Sequence, residues 1–342
     1  MKIRAVVAAL SLTLLAAACG SGAETGAGGA AKEVRLGYFP NITHSTALVG
    51  VEKGFYAKHL GVPVKTSTFN AGPAAIEAIF SGAIDATYIG PNPAINAWAK
   101  SKGEAIRIVA GSASGGVYLV TKPEINGVAD LKGKKIATPQ LGNTQDVALR
   151  YWLKQNGLNT DTKGGGDVHI VPQENSQTLQ TFATGDIDGA WVPEPFASRL
   201  VLESKGKILL DERELWPDKQ FVITHLIVRQ AWAEQNPDLL KKLIQAHVES
   251  TTFINADPKA AAQTVNAAIE KLTQKPLKPE VLDSAFKNIT FTNDPIASSL
   301  TGSAEHAVQV GLLEPVDLTG IYDLKLLNEI LTAQGQQSIA DK

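Results

Sequence analysis

One pattern occurs twice in the chain, first as Ser81-Gly82-Ala83-Ile84-Asp85-Ala86-Thr87-Tyr88-Ile89 and about a hundred residues later as Thr184-Gly185-Asp186-Ile187-Asp188-Gly189-Ala190-Trp191-Val192. In each copy, a glycine that can end a helix precedes an apolar run typical of a strand. Prolines follow both copies, in Gly90-Pro91-Asn92-Pro93 and in Pro193-Glu194-Pro195. This recurrence predicts two lobes of similar build. A chance similarity of helix, glycine and strand pieces is the alternative.

The sequence upstream of each copy is similar as well. A strand that runs into Pro40 is followed by the polar stretch 41–46, and a strand that runs into Pro139 is followed by the polar stretch 140–145. Each lobe therefore offers at least two turns at which a strand leads into a helix.

Short apolar runs alternate with longer amphipathic ones from Glu33 onward. The predicted strands are 34–39, 62–69 and 84–89, and the predicted helices are 45–59, broken at Gly54 or Gly61, and 73–80. This alternation predicts an α/β fold in which a mostly parallel sheet is flanked by helices on both faces.

Length and composition limit the classes of protein to consider. A chain of 342 residues suggests two domains, at roughly 100–200 residues per domain. With 44% hydrophobic and 19% charged residues, it has the composition of an ordinary folded protein. The formal charge of −2 provides no basic excess for binding phosphate backbones, so we do not expect a nucleic-acid partner.

The first residues are typical of a bacterial signal peptide. Lys2 and Arg4 precede an apolar run at 5–18 that ends in three alanines before Cys19, the only cysteine. The stretch Leu14-Leu15-Ala16-Ala17-Ala18-Cys19-Gly20 resembles a lipobox, in which the cysteine is lipidated, although Leu15 stands one position earlier than the family prefers.

We therefore predict a signal peptide at 1–18 and a lipid-anchored, flexible tether at 19–32 that is rich in Gly, Ala and Ser. The folded part would lie at the outer face of the cytoplasmic membrane or in the periplasm, held through Cys19. The alternative is a soluble secreted protein that is cut elsewhere in the alanine run.

Several motifs resemble those of the solute-binding proteins of ABC importers, in the group that serves aliphatic sulfonates, taurine and nitrate. That group is also similar to the binders of thiamine-pyrimidine precursors. The motifs are Gly37-Tyr38-Phe39-Pro40, Val51-Glu52-Lys53-Gly54-Phe55, Phe69-Asn70-Ala71-Gly72-Pro73, Gly82-Ala83-Ile84-Asp85, Asp130-Leu131-Lys132-Gly133-Lys134-Lys135-Ile136-Ala137 and Trp191-Val192-Pro193-Glu194-Pro195.

The resemblance implies the type II periplasmic-binding-protein fold, with two lobes joined by two crossing strands that close on the ligand as a hinged trap. We place the crossings near 115–120 and 221–228. Lobe one is then 33–117 and 225–335, lobe two is 118–224, and 336–342 is a tail. The implied partners are a small solute and the permease and ATPase subunits of an importer, and we expect a monomer.

The candidate ligand-binding residues follow the predicted strands, where helix N-termini with free N–H groups attract anions. Thr43, His44, Ser45 and Thr46 follow the first strand of lobe one, and Asn143, Thr144 and Gln145 occupy the matching turn of lobe two. These residues either cap helices or reach the ligand, and Asn143 is the best candidate for a cap. The resemblance implies that the turn of lobe two contributes to anion binding.

Three further candidates lie at the other turns, namely Asn92, Trp191 and Glu194, and a fourth, Ser112, lies just before the first crossing. Trp191 offers an apolar wall and an indole donor, or is part of the core. Glu194 would repel a bare anion but attract an ammonium group, which favours a zwitterion such as an aminosulfonate over nitrate. The alternative is that Glu194 faces solvent.

The sequence does not suggest an enzyme. The six histidines are widely spaced, a single cysteine cannot form a metal cluster, and neither Gly-Lys dipeptide has the spacing of a phosphate-binding loop. We therefore expect no catalytic residue, metal or cofactor. A sulfonate or taurine binder is our first interpretation, and a binder of nitrate, bicarbonate or a thiamine-pyrimidine precursor is the second. A ligand-sensing receptor domain and a pyrimidine-precursor synthase-like enzyme are the alternatives from other classes.

Overall fold

The computed structural model describes residues 31–341. The predicted signal peptide, Cys19 and the tether up to residue 30 lie outside the described residues. The strands are β1 Val34–Tyr38, β2 Val64–Thr68, β3 Ala86–Ile89, β4 Ile106–Gly115, β5 Val117–Thr121, β6 Lys135–Thr138, β7 His169–Pro172, β8 Gly189–Pro193, β9 Lys207–Asp211, β10 Val222–Arg229 and β11 Ile289–Phe291.

The α-helices between and after these strands cover the sheets. They are α1 Ser45–Glu52, α2 Phe55–Leu60, α3 Gly72–Phe80, α4 Pro91–Lys100, α5 Thr144–Gln155, α6 Asn175–Thr184, α7 Phe196–Ser204, α8 Gln230–Gln235, α9 Pro237–Ala256, α10 Pro258–Thr273, α11 Pro279–Lys287, α12 Ala297–Gln309 and α13 Lys325–Ala333. The described part of the chain contains no helix long and apolar enough to cross a membrane.

The strands form two sheets with the same internal order. The first sheet runs β11-β4-β10-β3-β1-β2 and the second runs β7-β6-β8-β5-β9. In the first sheet, β1 lies between β2 and β3, and β3 pairs with the antiparallel strand β10. In the second sheet, β6 lies between β7 and β8, and β8 pairs with the antiparallel strand β5. We call the first sheet with its helices lobe one and the second sheet with its helices lobe two.

The predicted α/β fold is confirmed, and both sheets are mixed. Strand β1 pairs in parallel with β2 and β3, and β6 pairs in parallel with β7 and β8. The remaining pairings are antiparallel: β10 with β3 and β4, β11 with β4, and β5 with β8 and β9. Strands β10 and β5 each enter their sheet from the other lobe. Parallel pairing between these strands is therefore confined to the repeated units.

The aspartates of the repeated motif have the same structural role in both lobes. The carboxylate of Asp85 accepts a hydrogen bond from the backbone N–H of Arg35 at 3.0 Å, and that of Asp188 accepts one from Lys135 at 2.8 Å. The backbone N–H of each aspartate donates in turn to the carbonyl of the same partner, at 2.8 Å. The motif thus ties the start of the third repeated strand to the start of the first.

The chain crosses between the sheets at two places. It leaves lobe one between Gly115 and Val117, where Gly115 and Gly116 have φ of +78° and +70°, a conformation that favours glycine. It returns in the segment between β9 and β10. All of β10 lies in the first sheet, so this segment precedes the crossing expected at 221–228. The lobe boundaries given above stay predictions.

The helix predicted at 45–59 is interrupted at Gly54, as expected. Gly54 has φ +72° and separates α1 from α2, and Gly61 with φ +67° follows the end of α2. The break turns the chain so that α1 and α2 both pack against α9 beneath the first sheet. The first residues of α1 remain at the carboxyl end of β1, where the cavity described below begins.

Candidate functional site

A small cavity of about 30 Å³ lies between the lobes at the carboxyl ends of the parallel strands. Lobe one lines it with Phe39, Asn41, Thr43, His44, Asn70, Ala71, Gly72, Gly90 and Pro93, together with Ile223 of β10. Lobe two lines it with Pro139, Asn143, Thr144, Gln145, Asn175 and Pro193. This is the position at which ligands bind in open parallel sheets.

Helix starts surround the cavity. Gly72 and Asn175 are the first residues of α3 and α6, Gly90 immediately precedes α4, and Thr144 begins α5. The first N–H groups of a helix lack partners within the helix, and each start carries about half a positive charge. Among residues 31–341, the cavity lining has no Lys, Arg, Asp or Glu. Its positive potential therefore comes from the backbone.

The two lobes touch around the cavity. A Cβ on Gly90 would lie only 2.5 Å from the hydroxyl oxygen of Thr144, so α4 and α5 approach too closely for a side chain there. Further from the cavity, the ring of Tyr151 stacks on that of His306 at 3.6 Å, and Lys154 Nζ donates to the carbonyl of Gln309 at 2.6 Å. The lobes are therefore closed on a space large enough for about two or three waters or one small ion.

His44 is held as a neutral hydrogen-bond donor. Its Nδ1 accepts the backbone N–H of Phe39 at 3.2 Å, so the ring proton is on Nε2. The ring stacks on that of Phe39 with centroids 4.2 Å apart. Complete burial lowers the pKa of His44 to about 3, because the imidazolium would lose its hydration. His44 therefore contributes a dipole and not a charge.

The polar turn of lobe two is organised around Asn143. Its Oδ1 accepts the backbone N–H of Asp146 at 3.2 Å and so caps α5, as expected. Its Nδ2 donates to Oε1 of Gln145 at 3.0 Å, which orients the Gln145 amide. Thr144 lies between them, and all three residues line the cavity.

The structure brings together five of the eleven residues proposed from sequence: Thr43, His44, Asn143, Thr144 and Gln145. Four others are buried and do not line the cavity. Ser45 Oγ donates to the carbonyl of Ile42 at 2.6 Å, and Asn92 Nδ2 donates to the carbonyl of Ser303 at 3.0 Å. The hydroxyls of Thr46 and Ser112 are buried, and neither has a hydrogen-bond partner within the described residues.

Trp191 and Glu194 face other partners. Trp191 is fully buried, and its Nε1 donates to Oε2 of Glu212 at 2.7 Å. Glu194 is 1% exposed, so it faces neither solvent nor the cavity. Its carboxylate accepts from the backbone and hydroxyl of Ser198 and from Nδ2 of Asn288 at 2.6 Å. Burial raises the pKa of Glu194.

Sequence reasoning missed the asparagines at the second strand-to-helix turn of each lobe. Asn70 lies between β2 and α3, and Asn175 begins α6 after β7. Asn175 is 3% exposed, and its Oδ1 has no hydrogen-bond partner among residues 31–341. Their positions in the sequence could have identified them, since Asn70 directly follows the strand predicted at 62–69 and Asn175 follows β7, the corresponding strand of lobe two. Asn41 was also missed; it accepts the hydroxyl of Thr43 at 2.8 Å.

Comparison with known proteins identifies similar sequences and folds. A family described as NMT1-like matches residues 27–269. A candidate binding protein of Brucella abortus is 28% identical over 298 residues, which cover 84% of this chain and 89% of that protein. Other curated proteins are similar to this chain as well.

Solved structures show the same fold. The alkanesulfonate-binding protein SsuA of Xanthomonas axonopodis pv. citri, bound to MOPS, is 18% identical with a TM-score of 0.68, over 84% of this chain and 96% of that one. The periplasmic nitrate-binding protein NrtA of Synechocystis PCC 6803 is 18% identical with a TM-score of 0.72, over 88% and 89%. The periplasmic-binding-protein fold predicted from sequence is confirmed, and these similar proteins are named as binding proteins and not as enzymes.

Proposed function

The chain belongs to the NMT1-like family, and from this premise we propose that it is the solute-binding subunit of an ABC importer. In this proposal it captures one small oxoanion between its lobes and delivers it to a permease. The main support for this proposal is the cavity itself, because both lobes line it with helix starts and neutral polar side chains.

The energetics of this cavity suit an anion. Micromolar affinity requires about 8 kcal/mol. A helix start stabilises a partly buried anion by up to about 2 kcal/mol. Pro73 in α3 and Pro91 and Pro93 in α4 have no N–H group, so the four starts supply only part of the required free energy. Hydrogen bonds to a charged group add about 1.5–3 kcal/mol each, and the Nε2–H group of His44 is a suitable donor. A cation would find no carboxylate in the lining formed by the described residues.

We propose the head group of an aliphatic sulfonate as the ligand chemistry. The argument for an aminosulfonate rested on Glu194 as a partner for an ammonium group, and Glu194 binds Ser198 and Asn288 instead. Simple alkanesulfonates are therefore favoured over taurine, whose ammonium would lose its hydration without a counter-charge. A related solved structure is titled as an alkanesulfonate-binding protein, which supports this choice.

Nitrate or bicarbonate is the second candidate. The cavity of about 30 Å³ favours a compact planar anion, because an alkyl tail would require the lobes to close less far. NrtA of Synechocystis, which has the same fold, is titled as a nitrate-binding protein.

A thermal-shift titration of the purified chain with ethanesulfonate, taurine, nitrate and bicarbonate tests the proposal. A ligand at 100 times its dissociation constant stabilises the folded state by about 2.7 kcal/mol, which is readily detected. We expect the largest shift with ethanesulfonate and a smaller one with taurine. A larger shift with nitrate or bicarbonate would favour the second candidate, and the absence of any shift would contradict the proposal.

We also propose that the protein is a monomer anchored outside the cytoplasmic membrane through a lipid on Cys19. Replacing Cys19 by Ser should move the protein from the membrane fraction to the soluble fraction. Unchanged fractionation would contradict the anchor.

Deletion of the gene distinguishes an importer subunit from a sensing receptor. Loss of sulfonate uptake in the deletion strain would favour the importer subunit, and unchanged uptake would favour the receptor.

A further inference from the structure

A buried ion pair lies directly behind the turn that lobe two contributes to the cavity. Arg150 Nε donates to Oδ2 of Asp146 at 2.9 Å, and the side chains are 1% and 0% exposed. Both residues are on α5, and neither lines the cavity. The guanidinium also donates through Nη1 to the carbonyl of Asp161. The pair can therefore affect ligand binding only through the residues to which it is hydrogen-bonded.

The carboxylate of Asp146 fixes both ends of the turn at 139–143. Its Oδ1 accepts the hydroxyl of Thr138 at 3.1 Å, just before the turn, and its Oδ2 accepts the backbone N–H of Gly142 at 2.9 Å, near the end. The backbone N–H of Asp146 binds the side chain of Asn143. Because Pro139 and Asn143 line the cavity, these bonds set where lobe two meets a ligand.

Lobe one has no such pair at the equivalent positions. When Pro40 is matched with Pro139, Ala47 corresponds to Asp146 and Val51 corresponds to Arg150. Ala47 is fully buried in its lobe, so the repeated unit folds with a small apolar residue at that place. A buried ion pair is often no more stabilising than well-packed apolar residues. Stability alone therefore does not explain why lobe two has one.

We infer that Asp146 and Arg150 are positioning residues that hold the 139–143 turn in its ligand-binding geometry. The inference rests on the proposed function, since it assigns these residues a role in that same site. Arg150 fixes the carboxylate, and the carboxylate fixes Thr138 and Gly142. A preorganised turn loses less conformational freedom when the anion binds, so the pair increases affinity without touching the ligand.

The test is the double variant Asp146→Ala/Arg150→Val, which gives lobe two the residues of lobe one. Hydrogen–deuterium exchange of the ligand-free protein is measured for peptides covering 139–145 and, as an internal control, 39–46. Affinity for ethanesulfonate is measured by calorimetry. We expect at least tenfold faster exchange in 139–145 only, and at least tenfold weaker binding. Thr138→Val, which removes a single bond to Asp146, should change both measurements in the same direction by a smaller factor.

Asp85→Asn is the matched control, because it disrupts a buried carboxylate that binds Arg35 and Arg229 at the opposite end of the sheet in lobe one. It should lower thermal stability and leave the affinity unchanged. Two results would overturn the inference if both the double variant and Thr138→Val gave them. One is unchanged hydrogen exchange at 139–145, and the other is faster exchange at 139–145 with unchanged affinity for ethanesulfonate. If the unmodified chain binds none of the four anions, the proposed function fails, and the exchange measurement still decides whether the pair orders the turn.

Discussion

The backbone N–H of Phe39 donates to Nδ1 of His44 at 3.2 Å, and the two rings stack 4.2 Å apart. This bond determines which tautomer of the buried imidazole faces the cavity. With Nδ1 occupied as an acceptor, Nε2 carries the proton and is left to donate. The contact links the end of β1 to the polar turn that follows it.

Replacing His44 by Phe should weaken anion binding about tenfold or more, because a neutral donor to a charged ligand is lost while the aromatic contact with Phe39 is retained. Isothermal titration calorimetry with ethanesulfonate measures the change. His169→Phe is the control, since His169 is exposed at the start of β7. Equal affinities for the two variants would contradict the role given to His44.

The stability of the protein should rise steeply with pH between about 4 and 6.5. Burial lowers the pKa of His44 to about 3 and those of His225, His247 and His306 to about 4. In this range the unfolded state binds more protons than the folded state, so each histidine contributes about 1.4 kcal/mol per pH unit. Urea unfolding at pH 4.5, 5.5 and 6.5 measures the slope. A free energy of unfolding that does not increase over this range would contradict the prediction.

Glu212 should make the folded protein less stable as the pH rises, which is opposite to the effect of the buried histidines. Burial raises its pKa to about 7, and its carboxyl group accepts the indole N–H groups of Trp191 and Trp216 at 2.7 and 3.4 Å. The folded state binds the extra proton between about 4.5 and 7, so this contribution to stability is lost as pH rises through 7. Glu212→Gln should therefore be more stable relative to the unmodified protein at pH 8 than at pH 5.5.

Tryptophan fluorescence gives a direct readout of the same group. We expect a transition near pH 7 in the unmodified protein that is absent in Glu212→Gln. A transition of the same midpoint and size in both proteins would show that another group is titrating.

The two aspartates of the repeated motif should differ in their contribution to stability. Asp85 is 2% exposed and binds two arginines, whereas Asp188 is 30% exposed and has Lys134 as a distant ion partner at 3.7 Å. Removing the charge of a buried pair costs about 3–5 kcal/mol, and an exposed pair contributes about 1 kcal/mol or less. Urea unfolding of Asp85→Asn and Asp188→Asn measures both costs. Similar losses in the two variants would mean that the backbone bonds, which both aspartates make, dominate.

The repeated motif allowed the two-lobe architecture to be predicted because each copy contains its own local signals. Glycine, an apolar run and proline mark a helix end, a strand and a helix start within a dozen residues. The polar turns after β1 and β6 were found in the same way. Five of the proposed residues consequently line one cavity.

The remaining site residues depend on contacts between distant parts of the chain. Trp191 turns away from the cavity because Glu212, in the segment after β9, accepts its indole N–H. Glu194 accepts a hydrogen bond from Asn288, which lies beside β11, and no local sequence pattern connects these two distant residues. Asn70 and Asn175 were overlooked because a sequence does not show which strand ends meet across two lobes.

The central claim is that one anion bridges both lobes, and calorimetry of ethanesulfonate with one variant from each lobe tests it most directly. His44→Phe removes the Nε2–H donor of lobe one, and Asn175→Ala removes an amide of lobe two. The account predicts a micromolar dissociation constant for the unmodified chain and about tenfold weaker binding for each variant. Tight binding that only one of the two variants weakens would contradict a bridging ligand, and no measurable heat from any of the four anions would contradict the account as a whole.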